Sequence, residues 1–252
     1  MVSAWASPTL AETPAPVPAH QSTYVVLYNG KPVGELEFIL EKANESVWHV
    51  KTQTRATSFL AKTLGSEVTE ASHFSWRNEA GRDQLIPLTY HHVSREPLRT
   101  RFWQHHYDWD NAVTQTVTHE GEQTIEIRPD ILDPLTLRLQ LAADLAHREE
   151  MDSLPMGDQD YWVLDRDDVE SQRIEAKGSE IIEVPAGCFD ALKFYRFRKE
   201  GSSRNYDLWV SQALAWLPVQ MVFQEDNREI RFELVSSDLL EEKPQCDMAE
   251  TN

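Results

Sequence analysis

The stretch Thr23–Leu40 has the sequence TYVVLYNGKPVGELEFIL and contains the clearest sign of the fold. Two strand-like runs, Thr23–Tyr28 and Val33–Leu40, flank the four residues Asn29-Gly30-Lys31-Pro32. Asn-Gly between two such runs is a strong signal for the turn of a β-hairpin. The sequence therefore predicts that the folded part of the chain begins with an antiparallel hairpin at residue 23.

The same pattern continues along the rest of the chain. Further strand-like runs, separated by turn residues, fall near residues 47–54, 66–77, 84–94, 98–107, 112–118, 123–128, 160–164, 170–176, 179–184, 190–198, 205–210, 217–224 and 229–235. So many short strands indicate a mainly β protein. We expect a single antiparallel, strongly curved sheet, or an open or partly closed β-barrel.

One segment interrupts the strands with a helical pattern. Asp133-Pro134 supplies an N-cap and a first-turn proline, and one stripe collects the apolar residues Leu135, Leu139, Ala142, Leu145 and Ala146. We expect an amphipathic helix over about residues 133–147, packed against the sheet because its apolar stripe must be buried. A second, short helix is predicted around Ser58–Leu64.

The ends of the chain differ in composition from its middle. Residues 1–22 are rich in Pro and Ala, and small residues at Ala6, Thr9 and Ala11 resemble the end of a secretory signal that lacks its basic and apolar regions. We expect either a signal-peptide remnant or a disordered start, then a single β-barrel-like domain over 23–240 and an acidic tail over 241–252. The first alternative predicts a periplasmic protein, with the signal truncated or removed.

The charge of the chain is strongly negative and unevenly distributed. Its 252 residues include 24 Lys+Arg and 42 Asp+Glu, a formal net charge of −18, which argues against nucleic acid as a partner. The acidity is concentrated in residues 149–170 and 225–252, whereas 88–107 and 191–204 are locally basic. No apolar run approaches the ~20 residues of a transmembrane helix, so no transmembrane segment is predicted.

The basic stretch 88–107 has the sequence LTYHHVSREPLRTRFWQHHY. Its turn, Glu96-Pro97-Leu98-Arg99, predicts a hairpin in which the numbers of paired residues sum to about 195. One face then carries Tyr90, His92, Arg99, Arg101, Trp103, His105 and Tyr107. Such a platform suits a sugar ring, an anionic head group or an acidic peptide. The alternative is that its aromatic residues belong to the core and its arginines balance neighbouring acids.

The histidines of the same hairpin do not make a convincing metal site. His92 and His105 are diagonal neighbours on one face, but a zinc site needs three or four ligands and no third ligand is evident. The chain also lacks Gly-x-Ser-x-Gly, His-Glu-x-x-His and Gly-rich phosphate-binding motifs. We therefore expect no metal, no other cofactor and no catalytic centre.

The two cysteines, Cys188 and Cys246, leave two alternatives open. Cys188 follows the turn Val184–Gly187 and is interpreted first as a half-buried structural cysteine. A bridge to Cys246 requires an oxidising compartment and a tail that folds back onto the domain.

Several stretches together resemble a known family, the bacterial cell-envelope proteins of domain-of-unknown-function family 3108. The matching pieces, in chain order, are Tyr24–Gly34 with Glu35, Leu85–Tyr90, Asp108-Trp109, Asp133–Leu135, Val184–Gly187 with Phe189, and Trp209 with Leu217–Val219. The resemblance implies an exported β-rich protein without an assigned catalytic centre.

These observations predict a non-catalytic periplasmic binding protein of the cell envelope. Its curved sheet would hold an apolar or amphipathic ligand, lipid-like or glycan, with Trp162 and Trp209 joining the 88–107 residues as candidate contacts. The first alternative is a module that docks a protein of an envelope assembly through a sheet edge or the platform. A hydrolase acting on glycans or lipids is a third, less supported reading.

Overall fold

The computed structural model describes residues 15–57, 67–96, 98–150, 158–197 and 204–246. Within these ranges the chain forms fifteen strands: β1 (His20–Tyr28), β2 (Lys31–Lys42), β3 (Trp48–Ala56), β4 (Glu67–Glu79), β5 (Arg82–Glu96), β6 (Arg99–Asp108), β7 (Val113–Thr118), β8 (Gly121–Glu126), β9 (Ile131–Leu132), β10 (Gln159–Asp165), β11 (Asp168–Val184), β12 (Gly187–Phe197), β13 (Arg204–Ser211), β14 (Leu217–Glu225) and β15 (Arg228–Ser237). One helix, α1 (Pro134–Glu150), lies between β9 and β10 in the sequence.

All fifteen described strands belong to one strongly curved sheet that does not close. Consecutive strands from β1 to β8 and from β9 to β15 are neighbours in the sheet, and the first and last strands, β1 and β15, pair with each other. The pairs are antiparallel except β9 with β10, and β8 and β9 form the two edges. This confirms the predicted fold class.

Turn chemistry explains most of the strand boundaries. Asn29 and Gly30 both take left-handed conformations, with φ of 47° and 75°, as the two-residue turn of a hairpin requires. The predicted strands 170–176 and 179–184 are instead one strand, β11, because Gly178 (φ 107°) accommodates a bulge without ending the pairing with β12. The two-residue strand β9 is too short to leave a sequence pattern.

The helix forms where the sequence predicts it. The Asp133 carboxylate accepts hydrogen bonds from the backbone N–H groups of Leu135 and Thr136, both at 2.9 Å. Leu139 and Leu145 are fully buried, so the helix packs onto the inner face of the sheet as expected. The predicted helix at 58–64 lies outside the described residues. No described helix is long and apolar enough to cross a bilayer.

The polar side of α1 is buried as well. One of its side chains forms hydrogen bonds with backbone groups of β5 that have no partner strand. The side-chain amide of Gln140 donates to the carbonyl of Asp83 at 2.9 Å and accepts from the N–H of Leu85 at 2.8 Å. Both partners lie in the part of β5 that extends beyond its pairing with β6. One amide side chain thereby replaces the hydrogen bonds of a missing strand.

A second helix side chain, Asp144, connects distant parts of the open sheet. Its carboxylate receives two hydrogen bonds from Arg82 of β5, at 2.7 and 2.9 Å, and one from the Tyr161 hydroxyl of β10, at 2.8 Å. β5 and β10 lie toward opposite ends of the sheet order. The helix therefore holds together the two sides of a barrel that its strands leave open.

Both ends of the domain extend beyond the predicted boundaries at 23 and 240. Val17 is fully buried and β1 begins at His20, because an apolar side chain in the Pro-rich start packs into the core. At the other end Cys246 forms a disulfide with Cys188, the alternative that the sequence left open. The backbone N–H of Cys188 also donates to the Pro244 carbonyl at 3.0 Å, so the tail returns to β12 at least as far as residue 246.

Candidate ligand-binding site

The inner face of the sheet, against which α1 packs, has two regions of different character. We call the first the packed wall; it consists of inward side chains of β3–β7, namely Thr52, Glu70, Tyr90, His92, Trp103, His105 and Thr116. We call the second the open wall; it consists of inward side chains of β13–β15 and β1, namely Tyr206, Phe223, Ile230, Phe232 and Tyr28.

The packed wall is organised around the carboxylate of Glu70. It accepts hydrogen bonds from the Tyr90 hydroxyl at 2.7 Å and from Thr52 at 3.3 Å, and His92 Nδ1 lies 3.3 Å away. Burial acts to raise the pKa of Glu70, but these bonds and the nearby guanidinium of Arg138 lower it to about 2. Glu70 is thus a structural anion that its own neighbours stabilise.

Stacked rings complete the packed wall. His92 lies on Trp103 with ring centroids 3.7 Å apart, and Tyr90 lies on His105 at 5.6 Å. His105 Nδ1 is 2.9 Å from the Thr116 hydroxyl. Burial lowers the pKa of His105 to about 4, so this histidine is neutral at pH 7.

The structure places the predicted platform of residues 90–107 mainly in the core. Its predicted register is confirmed, since His92 pairs with Trp103 and Tyr90 with His105. Tyr90, His105 and Tyr107 are buried, which agrees with the alternative interpretation of these aromatic residues. Of the seven residues predicted for this face, His92 and Trp103 are half-buried, and Arg99 and Arg101 are exposed. The two arginines therefore lie in the exposed part of the hairpin and the aromatic residues in its buried part, so they do not form one surface.

The two predicted tryptophans lie on the other face of the sheet. Trp162 is packed under Arg128, whose guanidinium carbon is 4.3 Å from the ring centroid. Trp209 donates from Nε1 to Glu180, and Lys193 Nζ lies 4.5 Å from its ring centroid. Because both alternate along their strands with inward residues, neither shares a surface with the 88–107 residues.

The open wall borders a cavity of about 610 Å³. Tyr206 and Phe223 lie 4.3 Å apart between ring centroids, and Phe223 and Phe232 lie 5.8 Å apart. Tyr28 and Ile230 remain 41% and 39% exposed on this surface, although both are large apolar side chains. The complete lining is Tyr28, Arg196, Asn205, Tyr206, Phe223, Gln224, Glu225, Arg228, Ile230 and Phe232.

Charged side chains surround the mouth of this cavity. Arg196 lies on the strand next to Tyr206, with its guanidinium carbon 5.8 Å from the tyrosine ring centroid. Arg228 and Glu225 are opposite each other in the backbone register at the turn between β14 and β15. The site thus combines an aromatic interior with an ionic rim, an arrangement that suits a molecule with an apolar and a polar part.

The residues of the open wall do not appear among the candidates from the sequence, although a signal for them exists. Residues 217–224 and 229–235 are both predicted strands, and Asp226-Asn227 forms the turn between them. A hairpin centred on that turn pairs Phe223 with Ile230 and Met221 with Phe232, as the structure has it. The turn at Asp226-Asn227 therefore places this cluster on one face from the sequence alone, as the turn at residues 96–99 does for 88–107.

Other polar sites on the described residues are less suited to bind a ligand. A polar cavity of about 260 Å³ lies near Arg82, Gln140 and Tyr161, whose polar groups are already bonded to Asp144. No group of three or more His, Cys, Asp or Glu side chains in the described ranges is arranged to hold a metal ion.

Comparisons with known proteins agree with this architecture. Residues 23–235 match the model of the family described as "Protein of unknown function (DUF3108)". A comparison with curated proteins finds no match. The solved structures that match include a crystal structure of a β-barrel-like protein of domain of unknown function DUF1849 from Brucella abortus. It is 8% identical in sequence, with a TM-score of 0.52 over 88% of this chain and 98% of that chain, so the likeness concerns the fold alone.

Proposed function

Because the chain belongs to the family described as "Protein of unknown function (DUF3108)", whose description assigns no activity, we propose a function from the geometry of its inner face. The protein is a non-catalytic binding protein that holds an apolar or amphipathic molecule against the open wall. The cavity of about 610 Å³ carries this proposal, because its volume lies in the range of about 300–1,000 Å³ typical of small-molecule sites.

The chemistry of the cavity supports an apolar ligand. Tyr28 and Ile230 leave large apolar surfaces in contact with solvent, and a ligand would bury them together with the edges of Phe223 and Phe232. Burial of apolar surface contributes about 25 cal/mol per Å². Covering this part of the open wall is therefore favourable for a ligand with a hydrocarbon portion.

The hydrogen bonds of the carboxylates on the inner face support a role of this protein in binding and not in catalysis. Three acids of the inner face, Glu70, Asp133 and Asp144, are each buried or half-buried and accept several hydrogen bonds from neighbouring side chains or backbone. A general acid or base needs a lone pair or proton directed at a substrate. These three groups use theirs to hold the helix and the packed wall in place.

The disulfide supports the proposed periplasmic location. Cys188 and Cys246 are bonded, and structural disulfides persist mainly in oxidising compartments such as the bacterial periplasm. Fractionation of the natural host, followed by mass spectrometry of alkylated, non-reduced protein, tests this. A cytosolic protein with two alkylatable thiols would contradict the location.

The experiment for the proposed function is displacement of a neutral apolar fluorophore, N-phenyl-1-naphthylamine, by dodecanol. Binding should be saturable with the wild-type protein and at least about tenfold weaker in Ile230→Glu, because the new carboxylate loses hydration in an apolar site. Val235→Glu is the matched control, since Val235 lies on the same strand, is 41% exposed and does not line the cavity. Absent binding, or equal loss in both variants, would refute the proposal.

A docking module for an envelope protein is the second candidate, and the edge strand β8 favours it. Among the described strands β8 pairs only with β7, and five of its six residues are exposed. An exposed edge can accept an added strand from a partner. Capture of a specific envelope protein by the wild type, lost in Thr124→Pro with fluorophore binding retained, would favour docking over ligand binding.

A further inference from the structure

Arg138 of α1 is a charged side chain in the interior of the protein. The binding proposal does not explain why a charge is placed there. It is half-buried between Leu137 and Leu139, which are both buried. Among the described residues its guanidinium makes only longer-range electrostatic interactions and no hydrogen bond or ion pair. A guanidinium carries five N–H donors and keeps its charge in proteins, so it requires acceptors in this position.

The charge of Arg138 lies between the two walls. The groups that interact with it are Glu70 and Tyr90 of the packed wall, Tyr206 of the open wall, and Tyr24. Burial acts to lower the pKa of Arg138, whereas Tyr206 and Glu70 raise it, and the net shift is upward. No ion pair joins Arg138 to Glu70 in the described residues, and the Glu70 oxygens already accept hydrogen bonds from Thr52 and Tyr90.

Two observations connect Arg138 with the cavity of the open wall. Arg138 lines a small space of about 10 Å³ together with Tyr24 and Met221, which is about the volume needed by one water-sized group. Met221 lies two residues along β14 from Phe223, on the same face, and Phe223 lines the large cavity. Arg138 therefore lies toward the inner end of that cavity.

A second hydrogen-bond donor without a partner among the described residues lies at the same end of the large cavity. The Tyr206 hydroxyl is buried and has no hydrogen-bond partner in the described part of the chain. Tyr206 itself lines the large cavity. Buried polar groups in proteins are normally hydrogen-bonded, so an oxygen-rich group placed here would satisfy both Tyr206 and Arg138.

We infer that the open wall binds a small anionic amphiphile whose carboxylate head accepts hydrogen bonds from Arg138 and Tyr206. Its apolar chain extends along Phe223 and Phe232 toward the mouth. This inference rests on the proposed function and adds the class of ligand. Guanidinium and carboxylate match in shape and charge, whereas a neutral amphiphile would leave the two donors poorly satisfied.

The test compares dodecanoate with dodecanol, two molecules with equal chains and different heads, as competitors of N-phenyl-1-naphthylamine. The wild type should bind dodecanoate about tenfold or more tightly than dodecanol. Arg138→Gln should abolish this preference while dodecanol still binds, which also shows that the variant is folded. Tyr206→Phe should reduce the preference in part. Arg173→Gln, an exposed arginine outside the cavity, should retain it.

The outcomes separate this inference from the proposed function. Equal binding of acid and alcohol by the wild type, or a preference that survives Arg138→Gln, overturns the inference and leaves the proposed function standing. A preference that Arg228→Gln removes and Arg138→Gln does not would place the head group at the mouth and also overturns it. If neither dodecanol nor the fluorophore binds, the proposed function and the inference fail together.

Discussion

The packed wall and the open wall are parts of the same sheet face, but they differ in packing. The side chains of the packed wall fill the space above it, whereas those of the open wall leave a cavity. In the packed wall, cross-strand neighbours are complementary: Glu70 lies beside Tyr90 and His92, which donate to it, and rings stack on rings. In the open wall, the neighbours Tyr206, Phe223 and Ile230 are aromatic or aliphatic and leave a cavity. Hydrogen bonds and stacked rings thus link the strands on one side, while apolar side chains leave surface for a ligand on the other.

The disulfide should have one of the two largest effects on stability. Cys188 and Cys246 are separated by 58 residues, and closing a loop of that size contributes about 4 kcal/mol by the chain-entropy estimate. We expect the free energy of unfolding in urea to fall by about this amount when the protein is reduced. The double variant Cys188→Ser/Cys246→Ser is the control. An equal response of this variant to reductant would contradict the prediction.

Replacing Glu70 with Ala tests the packed wall with an effect of similar size. The variant leaves Tyr90, His92 and Thr52 without their shared acceptor, and we expect a loss of about 4 kcal/mol in the free energy of unfolding. Glu35→Ala, on the exposed side of β2, should change it by less than about 0.5 kcal/mol. Similar values for the two variants would show that the Glu70 network does not stabilise the fold.

Acidification should weaken the packed wall through His105. The folded pKa is about 4 and the unfolded value is 6.5, so the unfolded chain binds a proton that the folded chain does not between these pH values. Stability contributed by neutral His105 is therefore full above pH 6.5 and lost as the pH falls to 4, by about 3 kcal/mol. Urea unfolding of the wild type and His105→Gln over pH 4–7 measures the difference. Parallel pH profiles would be inconsistent with a buried neutral His105.

The smallest effect on stability is expected in the open wall. Ile230→Thr removes apolar surface from a side chain that is 39% exposed, so the free energy of unfolding should fall by less than about 1 kcal/mol. Fluorophore binding should nevertheless weaken measurably. A loss above about 2 kcal/mol would mean that Ile230 belongs to the core, and the distinction between the two walls would then be wrong.

Local sequence was sufficient for the elements of the fold and for part of the packed wall. The turn at 96–99 predicts the pairing of His92 with Trp103, and Asp133-Pro134 predicts the start of α1, because turn and cap geometry depend on a few adjacent residues. The candidate site was predictable only in part. Trp162 and Trp209 are aromatic residues on strands, but the sheet face on which each side chain lies depends on how the whole sheet curves.

The amino-acid sequence alone therefore determined a mainly β chain with a buried helix that begins after Asp133, since period-two patterns, turns and caps are local properties. Only the tertiary structure decided that β1 pairs with β15, that Cys246 reaches Cys188, and that Arg138 lies between the two walls. These contacts join residues far apart in the chain, and no local pattern encodes them. The cavity is likewise a property of the curved sheet, because it is the space that α1 and the inward side chains leave unfilled.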